Sequence, residues 1–292
     1  MDGIIIIDKP AGWTSHDVVA KLRGTLKVKR VGHGGTLDPM ATGVLPIFVG
    51  YATRAVEFCE SADKEYIAGL RLGLTTDTQD ITGNTLSSHD VFISTHDFEA
   101  IIPRFLGAQK QIPPMYSAVK IGGKKLYDLA RRGIEIEREA RDICIFGIEV
   151  LEGGGSEYLL KVCCSKGTYI RTLCNDIGTA LGCGGAMSSL RRTRAGAFTV
   201  EKAHTLENAL EAISSGDTEK IMIPVDAVFE AYPDLTLSDS DVRKCKTGVA
   251  LKSESIPEGM YRFYAPDGEF LLFGEVKDGI VKVKKRFFGN EK

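Results

Sequence analysis

The chain has 292 residues, 43% hydrophobic and 26% charged, with a formal net charge of −2. That length allows a substantial core and about two domains, and the mix is ordinary for a soluble globular protein. It excludes a bulk polycation, and apolar runs as short as Gly3–Ile7 exclude a membrane-spanning helix.

Residues 3–8 read as a buried strand. The run starts two residues after Met1 without a basic lead or cleavage site, so it is not a signal peptide and a cytoplasmic protein is expected. Ser15 reads as a helix N-cap, followed by an apolar stripe at Val18, Val19, Leu22 and Leu26. The basic run Lys27, Lys29 and Arg30 leads into Gly32-His33-Gly34-Gly35-Thr36-Leu37-Asp38-Pro39-Met40-Ala41-Thr42-Gly43. Glycines let backbone approach a ligand closely, and Pro39 restricts Asp38 to extended geometry. Two readings of this loop stand open: a solvated turn, and a carboxylate placed for chemistry.

Val44–Val49 reads as a second buried strand, residues 51–60 as a helix, and Tyr66–Leu74 as an alternating strand. Thr75–Gly83 is a polar turn whose acidic residues lack calcium-loop spacing. A helix over Asp97–Leu106 precedes an irregular extended stretch, Gln111–Lys120, and a basic amphipathic helix over Gly123–Arg132. Arg141–Leu151 and Glu157–Cys164 pair across Gly153-Gly154-Gly155, and Thr168–Leu181 is a helix ended by Gly182. Strand and helix signals without a regular βαβ beat predict an α+β fold. A boundary falls near Tyr232–Asp234, after which glycine-punctuated β segments suggest a small barrel ending in Lys282, Lys284, Lys285 and Arg286.

No phosphate-loop or dinucleotide fingerprint occurs, so neither nucleotide-triphosphate nor NAD chemistry is expected. The seven cysteines include no C-x-x-C pair, and with five scattered histidines they match no zinc spacing. They read as structural thiols, and no metal or cofactor is expected.

Asp38 can serve as nucleophile, base or backbone cap. Arg171 falls in the first turn of a helix, where its charge opposes the helix dipole, so an anionic partner is expected. Asp38 would be such a partner; Asp176 or water is the alternative. Tyr66 is a stacking face or a core residue, and His33 an acid, a base, a stacking ring or a turn residue. Tyr169 and Leu190 carry no signal beyond packing. Clusters at Lys120/Lys124/Lys125, Arg131/Arg132 and Arg191/Arg192/Arg194 read singly as solvated faces or helix ends, and together as a phosphate track.

Gly3–Pro10 with Ser15, the Gly32–Gly43 loop, Tyr66 before Arg71-Leu72-Gly73, Ile112–Lys120, Lys124-Lys125-Leu126-Tyr127 and Ser165–Arg171 occur in one order. In this they resemble the TruB-type tRNA pseudouridine synthases over roughly the first 200 residues. The resemblance implies a mixed-sheet catalytic domain over 1–232, carrying an RNA-clamping insertion at about 95–140. It implies a PUA-like RNA-binding domain over 233–292. It makes Asp38 the essential aspartate at the uridine glycosidic bond, Arg171 its partner, and Tyr66 the tyrosine that stacks on the target base. His33 becomes an RNA contact where the base has left the stack, and Tyr169 and Leu190 pocket residues around the uracil. Lys120, Lys124, Lys125, Arg131 and Arg132 fall in the clamp. The implied partner is the T-arm of tRNA, met by a monomer that needs neither cofactor nor protein partner. Two rivals remain: an RNA-binding or tRNA-folding protein on the same scaffold, and a hydrolase using Asp38 and His33.

Overall fold

The computed structural model describes residues 1–252 and 256–288. β1 (Gly3–Lys9) leads into α1 (Ser15–Leu26), β2 (Val31–His33) and β3 (Thr42–Val49). A 3₁₀ turn, Gly50–Ala55, precedes α2 (Val56–Ser61), β4 (Lys64–Leu72), β5 (Leu74–Thr76) and β6 (Thr85–Ser88). Next come α3 (Thr95–Ile101), β7 (Gly107–Gln111), β8 (Lys120–Ile121), β9 (Lys124–Lys125) and α4 (Leu126–Ala130). The hairpin β10 (Arg141–Gly154) and β11 (Glu157–Cys164) is followed by α5 (Ile170–Ala180) and β12 (Gly185–Ala195). β13 (Phe198–Thr199), β14 (His204–Thr205), α6 (Leu206–Ser214) and β15 (Met222–Ile223) complete the middle of the chain. Last are β16 (Asp234–Thr236), α7 (Asp239–Thr247), β17 (Gly259–Tyr264), β18 (Phe270–Lys277) and β19 (Ile280–Arg286).

The chain divides into two compact units, one of Met1–Asp38, Leu45–Glu60 and Gly196–Lys292, the other of Pro39–Val44 and Ser61–Ala195. In the first, β1 runs parallel to β14, with Ile7 opposite His204, and antiparallel to β15. Its unbroken isoleucines suit a strand covered on both faces. Val18, Val19 and Leu22 of α1 join Ile5, Ile7, Leu45, Ile47 and Val49 in one core. Each such side chain, fully buried, contributes roughly 1.5–3 kcal/mol.

The helix begins one residue earlier than Ser15 predicts. Thr14 is its N-cap, in a reciprocal box in which the Asp17 backbone N–H donates to Thr14 Oγ1 (3.1 Å) and the Thr14 N–H to Asp17 Oδ2 (3.0 Å). The Thr14 hydroxyl, donating to Asp17 Oδ2 at 2.6 Å, and then the Thr14 N–H hold the Asp17 carboxyl below the usual carboxylate range.

The C-terminal strands of this unit pair in the order β16-β17-β18-β19. Among the described residues, no pairing of first with last strand turns them into the expected barrel. Phe229 lies against this sheet, its ring centroid 4.2 Å from that of Phe273 and 5.0 Å from that of Phe58. Arg54 Nη1 donates to the carbonyls of Arg286 (3.0 Å) and Phe288 (2.9 Å).

In the second unit the hydrogen-bonded order is β12-β4-β11-β10-β7, all antiparallel, and Thr42–Gly43 lie parallel to β12 at Arg191 and Arg192. Parallel and antiparallel pairing thus combine with helices in the α+β, mixed-sheet architecture expected. The basic helix expected over Gly123–Arg132 is instead a hairpin, β8 and β9, followed by the five-residue α4. Gly122 (φ 56°) and Gly123 (φ 79°) both adopt the left-handed conformation that a tight two-residue turn needs and a helix forbids. Helix α5 packs on β12 and β4 so closely that a Cβ on Gly178 would lie 2.2 Å from the Gly184 carbonyl carbon.

Candidate active site

The Gly32–Gly43 loop is built from several small anchors. In the first unit, His33 pairs across the sheet with Ile47, and the Gly34 N–H donates to the Pro46 carbonyl at 2.9 Å. A Cβ on Gly34 would meet Cys59 Sγ at 2.6 Å, so only glycine seats here without displacement. The His33 ring stands edge-on to His16, centroids 5.3 Å apart. Leu37, next to Asp38, is buried, and both its backbone groups engage one side chain. Ser15 Oγ accepts from the Leu37 N–H (2.9 Å) and donates to the Leu37 carbonyl (3.2 Å). Asp38 itself is half-buried.

The residues after Asp38 are anchored within the second unit. Arg191 Nη1 donates to Thr42 Oγ1 (3.3 Å) and Arg192 Nε to the Val44 carbonyl (2.7 Å). Gly43 has φ 99°, and a Cβ there would stand 2.2 Å from the Arg192 carbonyl oxygen. Arg192 is 1% exposed, so this basic cluster is not the solvated face its composition suggests. Strand alternation turns one arginine inward, where its stem packs and its guanidinium serves backbone.

Arg171 is the second residue of α5 and is also buried. Its Nη1 lies 3.7 Å from Asp80 Oδ2, its Nη2 donates to the Tyr116 carbonyl (2.6 Å), and its Cζ lies 5.9 Å from the centre of the Tyr169 ring. Asp80 belongs to the turn read as polar, yet it is 4% exposed. It accepts hydrogen bonds from Thr78 (2.9 Å) and Thr82 (2.5 Å), and its neighbour Gln79 accepts one from Thr172 Oγ1 of α5 (2.8 Å). Among the described residues Asp176 forms no ion pair with a guanidinium, and burial pushes its carboxyl up. The start of α5 is fixed by Gln111, whose amide accepts from the Tyr169 N–H (2.8 Å) and donates to the Tyr169 carbonyl (3.0 Å).

Tyr66 is buried in β4, opposite Val162 on β11 and Arg192 on β12, and Ala68 two residues on faces Leu190. Register therefore puts Tyr66 and Leu190 on one face, as diagonal neighbours. The opposite face carries Glu65. Burial works against its ionised form, but hydrogen bonds from Thr193 and Cys163, with the Lys161 cation, hold its carboxyl below the usual range.

Lys120, Lys124, Arg131 and Arg132 are exposed and Lys125 is half-buried. Tyr127 links two of them: Lys125 Nζ donates to its hydroxyl (3.1 Å), and Arg131 Cζ lies 5.5 Å from its ring centre. Among the described residues, no group of three or more His, Cys, Asp or Glu could hold a metal, and no helix is long and apolar enough to cross a membrane.

Asp80, Arg192, Ser15 and Gln111 are the participants that sequence reasoning missed. In the sequence Ser15 reads as a cap and Arg192 as one member of a basic cluster. Asp80 carried no signal, because Thr, Asp and Gly compose a solvated turn and a docked one alike.

The TruB family pseudouridylate synthase N-terminal domain matches residues 23–170, and the tRNA pseudouridylate synthase B C-terminal domain matches 171–230. Among similar proteins, the tRNA pseudouridine synthase B of Clostridium kluyveri is 44% identical over 292 residues, covering 98% of this chain and 100% of its own. That of Azoarcus sp. is 42% identical over 285 residues, covering 98% and 94%. Among solved structures, a chain of a Cbf5-Nop10-Gar1 complex superposes with a TM-score of 0.75 at 30% identity, over 98% of this chain and 85% of that one. An H/ACA ribonucleoprotein bound to a substrate RNA containing 2′-deoxyuridine gives 0.75 at 29%, over 98% and 85%. On matches that span nearly its whole length, the chain belongs to the TruB family of pseudouridylate synthases.

Proposed function

We propose that this pseudouridine synthase isomerises one uridine in the T-loop of tRNA, position 55 in the family, with Asp38 as the group that opens the glycosidic bond. The uridine leaves the stack and enters the site, at an unstacking cost of a few kcal/mol. The N1–C1′ bond breaks with Asp38 acting at the nucleoside, and the detached uracil rotates. C5 then bonds to C1′, the C5 proton is lost and N1 gains one, so substrate and product are isomers. Arg171 keeps Asp38 ionised and oriented, Tyr66 stacks on the uracil and assists removal of the C5 proton, and Tyr169 and Leu190 bound the base. His33 contacts RNA at the vacated position. Lys120, Lys124, Lys125, Arg131 and Arg132 contact phosphates from the 95–140 segment, and residues 233–292 form a PUA-like RNA-binding domain behind a boundary at 232.

The observation that carries this reading is the immobilisation of the backbone around one carboxylate. Leu37 is bonded at both its N–H and its carbonyl, while Thr42 and Gly43 are locked to β12. A surface turn needs no such restraint, whereas a catalytic group does. The test uses a T-arm stem-loop, with pseudouridine mapped by carbodiimide treatment and reverse-transcription stops. Wild-type protein is expected to create one stop in the loop, and Asp38→Asn none, while the variant binds the stem-loop within about threefold of wild type. Equal binding with no stop from either protein would favour a purely RNA-binding role.

A further inference from the structure

The Ser15 hydroxyl is spared from capping α1 because Thr14 does that work, and it is spent instead on Leu37, 22 residues away. We propose that Ser15 is a positioning residue for Asp38, acting through the Leu37 backbone; this rests on Asp38 being the catalytic carboxylate. One oxygen both accepts the Leu37 N–H at 2.9 Å and donates to the Leu37 carbonyl at 3.2 Å. The first bond orients the peptide plane entering Leu37. The second orients the plane joining Leu37 to Asp38, whose amide nitrogen belongs to that same unit. Asp38 is then constrained from its other side by Pro39, which disfavours all but extended geometry for the residue before it. Both backbone approaches to the carboxylate are thus determined by covalent or hydrogen-bonded neighbours.

The anchor is rigid. Ser15 is 1% exposed and opens a helix whose N-terminus is closed by the Thr14–Asp17 box and whose inner face is sunk in the core. Burial of both residues strengthens the restraint, since hydrogen bonds shielded from bulk solvent are costlier to break. A carboxylate displaced by about 1 Å can lose on the order of a hundredfold in rate without losing substrate affinity.

The test compares wild type with Ser15→Ala, Ser15→Cys and Ser15→Thr. Cysteine keeps the shape but offers a weak donor and acceptor, and threonine keeps the hydroxyl. Single-turnover tritium release from tRNA labelled at uridine C5 is read beside filter-binding affinity and thermal melting. Ser15→Cys and Ser15→Ala should be tenfold or more slower than wild type with affinity within twofold, and Ser15→Thr should return to within threefold. Should Ser15→Ala not fold, the Cys and Thr pair carries the comparison. A Ser15→Cys rate within twofold of wild type overturns the proposal. So does a loss of rate matched by loss of affinity, or a Thr variant as slow as the Cys one. A wild type that forms no pseudouridine overturns the functional reading itself, a result distinct from an active wild type indifferent to residue 15.

Discussion

Arg171 shows how much a single buried charge asks of its surroundings. Its guanidinium sits at the positive end of α5, where the helix dipole disfavours it, and it is compensated by the Asp80 carboxylate and the Tyr116 carbonyl. Removing one partner of a buried pair typically costs about 3–5 kcal/mol, because the remaining charge stays desolvated. Asp80→Ala is therefore expected to lower stability on unfolding in urea by about 3 kcal/mol. Asp80→Asn, which keeps the hydrogen-bonding shape but not the charge, should slow pseudouridine formation about tenfold or more while tRNA binding holds. An Asp80→Asn rate equal to wild type would remove Asp80 from the site. Burial also acts on thiols: it pushes Cys174 up to about 12 and Cys164 up to about 11, which disfavours the thiolate form of both.

At the scale of elements, what was legible in the sequence is what period and composition encode. The isoleucine run of β1, the Val18–Leu22 stripe of α1, the β10–β11 hairpin and the extent of α5 all followed from local pattern. Two readings yielded to the fold: the left-handed Gly122 and Gly123 made a turn of an apparent basic helix, and packing turned Arg192 of β12 inward. Of the candidate site, His33, Asp38, Tyr66 and Arg171 drew notice from residue type and setting. Asp80 and Gln111 act through distant partners, Gln111 reaching Tyr169 58 positions away, and no local signal encodes that. One close element contact is at Gly43, where left-handed backbone and the Arg192 carbonyl together exclude a side chain. Gly43→Ala should cost about 2–4 kcal/mol of stability, from overpacking and backbone strain combined. A melting temperature unchanged from wild type would show that the ladder between β3 and β12 tolerates displacement.

At the scale of the molecule, a net charge of −2 coexists with RNA chemistry because recognition of folded RNA relies on shape and splayed bases. On the proposed reading, local clusters such as that of the β8–β9 hairpin supply the phosphate contacts. Within the first unit, the C-terminal sheet is secured to the residues around α2 by the Phe58–Phe229–Phe273 cluster and by Arg54. Phe229→Ala is expected to cost about 3–5 kcal/mol, read as a lower urea midpoint; a midpoint at the wild-type value would show that the cluster does not bear on stability. The central claim is that Asp38 performs the chemistry. Its most direct test is tritium release from [5-³H]uridine-labelled tRNA by Asp38→Asn, which keeps size and hydrogen bonding but not charge. The account predicts complete release by wild type and none above background by the variant, with tRNA affinity retained. Release by Asp38→Asn near the wild-type rate would contradict it.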